Sequence, residues 1–260
     1  MGEAPRIFSE EYYARMRLLE SASWWNAGMR DIAAALFRRA RLGTSGLLVD
    51  VGCGSGQTMA WFLDEHPGWA AAGADLAVEG VTAARAFGLP VAVGNAMELP
   101  FQSASADVVI TLDVLQHLPL SGGDVAAIAE MSRVLRPGGL FFVRTNAQSI
   151  PRATEDPANN FRKYEPRVLE SKLKEAGLEI LTLSRANGLL GLAEVARELR
   201  ATRREGSGYH GILAVPGASR GLAYSAKRAI LRAEAGLIAA GIRLPLGRSI
   251  VALCRKPGTA

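Results

Sequence analysis

Cysteine, aromatic residues and long apolar runs are all scarce in this chain of 260 residues. With only Cys53 and Cys254, neither a disulfide framework nor a cysteine-rich zinc site can organise the fold, and a reducing cytoplasm is the expected location. The apolar run at 235–242 is far shorter than the roughly 20 residues that a membrane-spanning helix needs. The first eight residues lack the basic and apolar regions of a secretory signal. We expect a soluble, globular protein with no membrane span and no metal site.

Charge is distributed unevenly along the chain. Residues 1–150 carry 11 Arg and Lys against 15 Asp and Glu, whereas residues 151–260 carry 19 against 10. A basic half can bind phosphates, but here the basic residues alternate with acidic and apolar ones, which is typical of a solvated helix face. A nucleic-acid-binding surface would also need interleaved aromatic residues, and 185–260 contains only Tyr209 and Tyr224. Nucleic acid is therefore not the expected partner.

Short apolar runs alternate with helical patterns from residue 46 onward, which predicts an α/β fold with a parallel sheet. The predicted strands are 47–51, 70–74, 90–93, 107–112, 140–145, 178–183 and 249–254. The predicted helices begin near residues 57, 78, 124 and 166. Residues 9–41 predict at least two further helices before the sheet. Two more helical patterns, at 189–204 and 222–242, separate the last two strands.

A glycine-rich turn follows the first predicted strand, in the sequence Val49-Asp50-Val51-Gly52-Cys53-Gly54-Ser55-Gly56. Glycines at such a turn let backbone N–H groups and a helix N-terminus approach a ligand closely. The dinucleotide fingerprint leaves two residues between its second and third glycines, whereas only Ser55 lies between Gly54 and Gly56. No lysine follows at the position required by a phosphate-binding loop. The spacing therefore disfavours both a nicotinamide oxidoreductase and a nucleotide triphosphatase.

Two further strand ends carry polar residues suited to a nucleoside. Asp75 ends the second strand, 19 residues after Gly56, where a carboxylate can bind both hydroxyls of a ribose. After the third strand, Asn95 and the apolar residues around it could recognise an adenine by hydrogen bonds and packing. Adenosine with a short amino-acid arm fits the three features together.

As an ordered set these motifs resemble the class I S-adenosylmethionine-dependent methyltransferases, over residues 47–183. The matching segments are 49–56, Asp75-Leu76, 94–96 with 99–101, 107–109 leading into 113–118, and 133–139. The resemblance implies a Rossmann-like, doubly wound, seven-stranded sheet whose last strand, 249–254, runs antiparallel. It also implies S-adenosyl-L-methionine as cofactor and S-adenosyl-L-homocysteine as product.

The resemblance implies roles for individual cofactor-binding residues. Gly52, Gly54 and Gly56 would lie under the methionine arm, Asp75 would bind the ribose, and Leu76 would pack on the adenine. Asn95 and Ala96 would border the adenine, although an aspartate is commoner than Asn95 in the family; the amide can still accept from the adenine amino group. Arg30 could bind the cofactor carboxylate. The remaining expected cofactor contacts are Asp50, Gln57 and Leu112.

Methyl transfer from a sulfonium needs positioning above all, and a general base only for weakly acidic nucleophiles. The candidates for a base or an orienting group are Asp113, His117, Tyr164 and His210. Of these, His117 lies in a segment that faces the cofactor in the family. We name Asp113, His117 and Tyr164 as candidate catalytic residues. Cys53, beside the glycines, is expected to be a packing residue.

Residues outside the motifs are expected to select the acceptor. Residues 1–45 would form an N-terminal helical cap in which Tyr13, Trp24 and Trp25 wall an apolar acceptor. Residues 46–184 and 249–260 would form the cofactor-binding core. The helical insertion 185–248 would be a lid, a substrate element or a dimer surface.

The last helical pattern predicts a buried stripe and a charged outer side. The stripe expected to be buried comprises Leu222, Ala226, Ala229, Ile230, Ala233, Leu237 and Ala240. The basic residues expected to face outward are Lys227, Arg228 and Arg232.

The predicted function is methyl transfer to an O, N or C atom of a small acceptor, either apolar or a specialised metabolite. Two alternatives stay open: a cofactor-binding protein of the same fold without methyl transfer, and an RNA methyltransferase. A homodimer is possible.

Overall fold

A mixed sheet of seven strands forms the centre of the computed structural model, which describes residues 23–148, 155–156, 161–191 and 221–258. Its strands are β1 (Gly46–Val51), β2 (Trp69–Asp75), β3 (Val91–Val93), β4 (Ala106–Leu112), β5 (Leu135–Asn146), β8 (Glu179–Ala186) and β9 (Ser249–Arg255). They are ordered β3-β2-β1-β4-β5-β9-β8. β9 runs antiparallel to β5 and β8, and β1–β5 pair in parallel. The predicted seven-stranded fold with a reversed last strand is confirmed.

Helices cover both faces of this sheet. They are α1 (Trp24–Arg39), α2 (Gln57–Glu65), α3 (Val78–Arg85), α4 (Gly123–Val134), α5 (Pro166–Glu175) and α6 (Leu222–Ala239). A short 3-10 helix spans Leu115–His117, and β6 (Glu155–Asp156) pairs with β7 (Phe161–Arg162) as a separate hairpin. No helix in the described ranges combines the length and apolar character needed to cross a bilayer.

Alternating residues of each strand divide the core into two layers. Leu48 and Phe142 face a layer that includes α1, α2, α3 and α6, whereas Val49 and Phe141 face α4 and α5. Both faces of the sheet are buried, as a parallel sheet covered by helices requires. Because the parallel strands end at one edge, the loops after β1, β2, β3 and β4 lie side by side there.

The Arg136-Pro137-Gly138-Gly139 segment belongs to β5. This strand begins at Leu135, and its register against β4 shifts from Ala106–Leu135 to Val108–Leu140. The extra residues on β5 form an irregularity in the ladder and not a free turn. The Arg-Pro-Gly-Gly sequence therefore marks a bulged strand start.

α6 packs against α1 with a different face from the one predicted. Its buried residues are Leu231, Glu234, Ala235 and Ile238, while Leu222 is 92% exposed and the rest of the predicted stripe is exposed or half-buried. A Cβ at Gly28 of α1 would overlap Leu231, so the glycine permits a close approach of the two helices. The prediction of the buried stripe was wrong.

Lys227 and Arg232 of α6 are exposed, as predicted, and Arg228 is half-buried; all three also contact α1. Arg228 and Arg232 each place Nε 3.1 Å from Oδ2 of Asp31, and Lys227 lies 5.0 Å from the ring centroid of Trp24. Two apolar stripes fit the helical period of α6, and these partners in α1 decide which one is buried.

Some predictions fall on residues outside the described ranges. These are Tyr13 and a second N-terminal helix, most of the helical pattern at 189–204, and His210. The described part of the N-terminal segment is α1, which lies on one face of the sheet. Its first turn, at Trp24 and Trp25, lies toward the edge where the parallel strands end, since Trp25 contacts Arg144 near the end of β5.

Candidate functional site

The glycine turn joins β1 to α2 and is built from three residues with positive φ. Gly52, Gly54 and Gly56 have φ values of 78°, 49° and 79°, a region that side chains rarely adopt. A Cβ at Gly52 would also overlap Val114, and one at Gly56 would overlap Leu89. The turn therefore needs glycine for its backbone conformation and for its close packing, and it leaves backbone N–H groups at the start of α2.

Asp75 fixes the turn from the neighbouring strand. Its carboxylate accepts hydrogen bonds from Gly54 N at 2.8 Å and from Ala77 N at 2.9 Å, and the residue is 9% exposed. An ionised carboxylate offers about four lone-pair sites, so two backbone bonds leave acceptor capacity for a ribose. The position fits the predicted role and adds a second one, since Asp75 also holds the glycine turn in place.

Two apolar side chains are exposed after β2 and at the end of β3. Leu76 is 72% exposed and Val93 is 48% exposed. Large exposed apolar residues side by side on neighbouring strands suit the face of an aromatic ligand. This arrangement is consistent with the predicted contact between Leu76 and adenine.

Asn95 begins a tight turn that is closed by hydrogen bonds from the backbone of Met97 and Glu98. Its Oδ1 accepts a hydrogen bond from Met97 N at 3.0 Å, and Glu98 N donates to its carbonyl oxygen at 2.9 Å. This oxygen keeps a second lone pair for the adenine amino group, so its bond to Met97 N does not decide the predicted acceptance. The amide nitrogen can also donate to a ring nitrogen of adenine. Ala96, next to it, is half-buried.

The other expected cofactor contacts lie around the same edge. Arg30 Nη2 is 3.4 Å from the carbonyl oxygen of Gln57, so the arginine of α1 reaches the first residue after the glycine turn. Asp50 is buried in β1, and Leu112 is half-buried at the end of β4. The structure thus brings Arg30 next to the turn, as its predicted role requires.

Asp113 follows β4 in an unusual backbone conformation. Its φ is 57°, and its Oδ2 accepts from Arg144 Nη2 at 2.5 Å and Nε at 3.1 Å. Arg144, in β5, is buried, and its guanidinium lies 4.5 Å from the ring centroid of Trp25. Sequence reasoning missed Arg144, although a charged residue ending the apolar run Phe141-Phe142-Val143 was the available signal.

His117 ends the 3-10 helix that follows Asp113 and is half-buried. Burial lowers the pKa of its imidazole below the ordinary value, while the negative charge of Asp113 acts in the opposite direction. The ring is therefore mainly neutral near pH 7. Gln116, the residue before it, is buried and its Oε1 accepts from Thr145 Oγ1 at 2.9 Å. His117 is thus held on a fixed turn beside Asp113.

Tyr164 is buried behind this turn. Its hydroxyl lies 3.2 Å from the carbonyl oxygen of Leu115 and 3.0 Å from Oδ2 of Asp124, and burial raises its pKa well above the usual range. The same Asp124 oxygen accepts from Arg162 at 2.7 Å and Lys172 at 2.8 Å. The predicted catalytic role of Tyr164 is not supported. The residue is only 1% exposed, and its hydroxyl anchors the 3-10 helix.

Three further candidates lie near the turn, and all are at least half-buried. Trp24 and Trp25 are half-buried and pack on the core layer of α1. Burial strongly raises the pKa of the Cys53 thiol, so it is no nucleophile, which agrees with its predicted packing role. Within the described part of the chain, no three His, Cys, Asp or Glu side chains are grouped as a metal site would require.

The comparisons with known proteins agree with this geometry. Residues 49–143 match the family model described as "Methyltransferase domain". The chain is 39% identical over 106 residues to a Mycolicibacterium smegmatis protein named Probable S-adenosylmethionine-dependent methyltransferase, covering 39% of this chain and 40% of that protein. It is 33% identical over 97 residues to Probable tRNA methyltransferase 9B of Bos taurus, covering 37% of this chain and 20% of that protein.

A solved structure shows the same fold with the cofactor bound. It is phosphoethanolamine N-methyltransferase 2 of Haemonchus contortus in complex with S-adenosyl-L-methionine, with a TM-score of 0.61 and 17% identity. The alignment covers 96% of this chain and 57% of that chain. The chain spans two fifths or less of the length of both curated relatives above. Residues 49–143 therefore match a methyltransferase domain, and the sheet order, the glycine turn and Asp75 fit the class I, S-adenosylmethionine-dependent type that the sequence resembles.

Proposed function

We propose that the protein transfers the methyl group of S-adenosylmethionine to an O, N or C atom of a small acceptor. The observation that carries this proposal is the contact between the loops after β1 and β4. A Cβ at Gly52 would overlap Val114, so the glycine turn adjoins the segment with Asp113 and His117. These strands are neighbours at the point where the strand order reverses, which is where open α/β sheets bind ligands.

The residues of this crevice would act mainly by positioning. When bound, the cofactor supplies an electrophilic methyl group. The glycine turn, Asp75 and Arg30 hold its arm and ribose, and the exposed Leu76 packs against its base. His117, neutral near pH 7, accepts a proton from a hydroxyl or amine acceptor. Trp25 and the buried Arg144 close one side of the crevice and keep water from it.

The state of the basic residues supports a small acceptor over RNA. Many basic side chains of the described part are bound within the protein, where they cannot also neutralise a phosphate strand at full strength. Arg228 and Arg232 bind Asp31, Arg162 and Lys172 bind Asp124, and Lys256 donates to the carbonyl oxygens of Ser132 and Leu135. The half-buried tryptophans of α1 suit an apolar acceptor.

RNA methylation is the second candidate, favoured by the similarity to Probable tRNA methyltransferase 9B. A cofactor-binding protein without transfer is the third, since fold alone does not establish chemistry. We also propose a reducing, cytoplasmic location, because Cys53 and Cys254 are buried free thiols. The division into an N-terminal cap, a core and the insertion 185–248 stays a proposal, as does a homodimer.

The test follows radioactive methyl groups from labelled S-adenosylmethionine. The purified protein is incubated with a small-molecule extract below about 1 kDa or with bulk tRNA, and bound cofactor is measured by calorimetry. Label in the small-molecule fraction supports the proposal, and Asp75→Ala should strongly reduce it when the cofactor concentration is below saturation. Nuclease-sensitive label in tRNA would replace it with the second candidate. Cofactor binding without S-adenosylhomocysteine release from either mixture would favour the third.

A further inference from the structure

A hollow lies at the amino ends of the parallel strands, on the opposite edge of the sheet from the glycine turn. Its volume is about 130 Å³. The residues that matter here are Arg41, Trp69, Asp107, Arg136 and Arg255. β1 separates the two edges by six residues, or about 20 Å at the usual rise of ~3.3 Å per residue. We call this feature the amino-end hollow, and the proposed methyl transfer does not use it.

The amino-end hollow contains more positive charge than the protein neutralises. Asp107 is the acidic residue among its lining residues, and both of its oxygens are engaged, Oδ2 by Leu47 N at 2.8 Å and Oδ1 by the guanidinium of Arg136. Within the described ranges, the side chains of Arg41 and Arg255 take part in no hydrogen bond or ion pair. Two of the arginines that line the hollow therefore have no counter-charge among the described residues.

The backbone at these two positions does not explain the arginines. Arg41 follows α1 with a φ of 56°, a conformation for which glycine or asparagine is the usual residue at a helix end. Arg255 is the last residue of β9, where its backbone is paired with Leu140 and Glu179. Glu179 is exposed and forms no ion pair with Arg255 in the described structure. Helix capping and strand pairing leave both guanidinium groups available to a ligand.

We propose that the amino-end hollow binds a phosphate-sized tetrahedral oxyanion. A volume of about 130 Å³ corresponds to roughly four waters at ~30 Å³ each, and it is well below the ~300 Å³ at which pockets for drug-sized ligands begin. A whole nucleotide does not fit, whereas one tetrahedral oxyanion does. Guanidinium groups bind such oxygens through paired, charge-assisted hydrogen bonds. The anion is either free phosphate or one phosphate group of a larger molecule that remains outside the hollow.

Trp69 provides a local signal for the test. Its Nε1–H donates to the carbonyl oxygen of Gly43 at 3.0 Å, and both residues line the hollow. The chain has four tryptophans, so a nitrogen–proton NMR spectrum shows four indole signals, and Trp69→Phe identifies the one required. Sodium phosphate is added to the full-length protein at constant ionic strength, with sodium chloride as the balancing salt. We expect a saturable shift of the Trp69 signal.

The variant Arg41→Gln with Arg255→Gln should weaken this binding at least tenfold, because each lost charge-assisted contact reduces affinity by about that factor. The control is Lys163→Gln with Arg167→Gln, which also removes two positive charges, from exposed positions outside the hollow, and it should leave the affinity within about twofold. Thermal melting of each variant verifies its folding. A non-saturable shift, no shift up to about 20 mM phosphate, or equal affinity in both double variants would overturn the proposal.

A second titration distinguishes the two sources of the anion. A short single-stranded RNA is compared with inorganic phosphate under the same conditions. RNA binding that is at least tenfold tighter than phosphate binding, and lost in Arg41→Gln with Arg255→Gln, identifies a phosphate of a strand. Phosphate binding with no gain from RNA identifies free phosphate. Cofactor binding is unaffected in either case, so this site and the proposed methyl transfer can fail independently.

Discussion

His117 and Asp113 are close in sequence but have different states in the structure. Asp113 is held by two bonds from the buried Arg144, so its charge is already neutralised. His117 is half-buried, and its pKa lies below the ordinary value because burial outweighs the attraction of Asp113. A neutral imidazole can accept a proton, whereas an ion-paired carboxylate is a poor base. We therefore propose His117 as the base and an orienting role for Asp113 and Arg144.

His117→Gln should lower the rate of methyl transfer by about 10²-fold or more for a hydroxyl or amine acceptor, the range typical of a lost general base. In the unchanged protein the rate should rise with pH through a midpoint below about 6.5 and then level off, because only the neutral imidazole accepts a proton. The variant should lose this limb of the profile. His66→Gln serves as the control, since His66 stacks on Phe62 at the end of α2. An unchanged profile in His117→Gln would exclude the residue as the base.

Asp75→Ala should reduce affinity for S-adenosylmethionine by roughly ten- to a hundredfold, the loss expected when a charge-assisted contact worth about 1.5–3 kcal/mol is removed. Calorimetry measures the affinity. Because Asp75 also accepts a hydrogen bond from Gly54 N, thermal melting is needed to show that the variant is still folded and that the loss of affinity comes from the missing cofactor contact. Asp64→Ala, an exposed change on α2, should have no effect. Equal affinity in folded Asp75→Ala would disprove the ribose assignment.

At the scale of elements, α6 is attached to the sheet through one buried carboxylate. Glu234 accepts from the backbone nitrogens of Asn187 at 2.8 Å, Gly188 at 3.0 Å and Leu189 at 3.3 Å. These nitrogens lie where β8 ends and helical backbone resumes at 188. A carboxylate suits the unsatisfied N–H groups of a first helical turn. Glu234 therefore joins α6 to the end of β8 and fixes where the insertion leaves the sheet.

Glu234→Ala should destabilise the protein by roughly 2–4 kcal/mol, because it leaves several buried N–H groups without a partner. Denaturant unfolding measures the loss. Glu234→Gln keeps an acceptor oxygen and should recover part of the stability, while the exposed Glu65→Ala should change little. A loss below about 0.5 kcal/mol in Glu234→Ala would show that water replaces the carboxylate.

At the scale of the whole molecule, the Asp124 cluster ties three separate parts of the chain together. The fully buried carboxylate of α4 binds Arg162 of β7 and Lys172 of α5. Burial alone would raise its pKa, but hydrogen bonds from Lys172 and Tyr164 and the nearby positive charges lower it overall. Arg162 also donates to the carbonyl oxygen of Pro119. The segment that carries His117 thus depends on an ion pair that acid removes.

The lowered pKa of Asp124 makes part of the stability depend on pH. The carboxylate contributes fully above its unfolded pKa, about 3.9, and its contribution is lost as pH falls through the lower folded value. Asp124→Asn should cost about 3–5 kcal/mol at pH 7, the range for breaking a buried ion pair. Its acid unfolding should then be less steep below pH 4 than that of the unchanged protein. Asp64→Asn controls for loss of an exposed acid, and parallel acid curves in all three proteins would contradict this account.

The sequence by itself determined the sheet, the glycine turn and the cofactor class. These features depend on local rules: apolar runs form buried strands, glycines permit positive φ at Gly52, Gly54 and Gly56, and an acid at the end of β2 lies next to the turn. Because parallel strands end at one edge, motif order along the chain already implies proximity in space. The antiparallel direction of β9 was predicted from the family resemblance.

Only the tertiary structure decided which side chains are partners across the sheet. Arg144 meets Asp113 because β5 lies beside β4, and no spacing along the chain encodes that contact. Tyr164, a candidate catalytic residue from the sequence, is buried against Asp124. α6 has two apolar stripes of the same period, and the close approach at Gly28 and the charge of Asp31 select the one that is buried. Periodicity defines a face, whereas the neighbouring element defines what that face contacts.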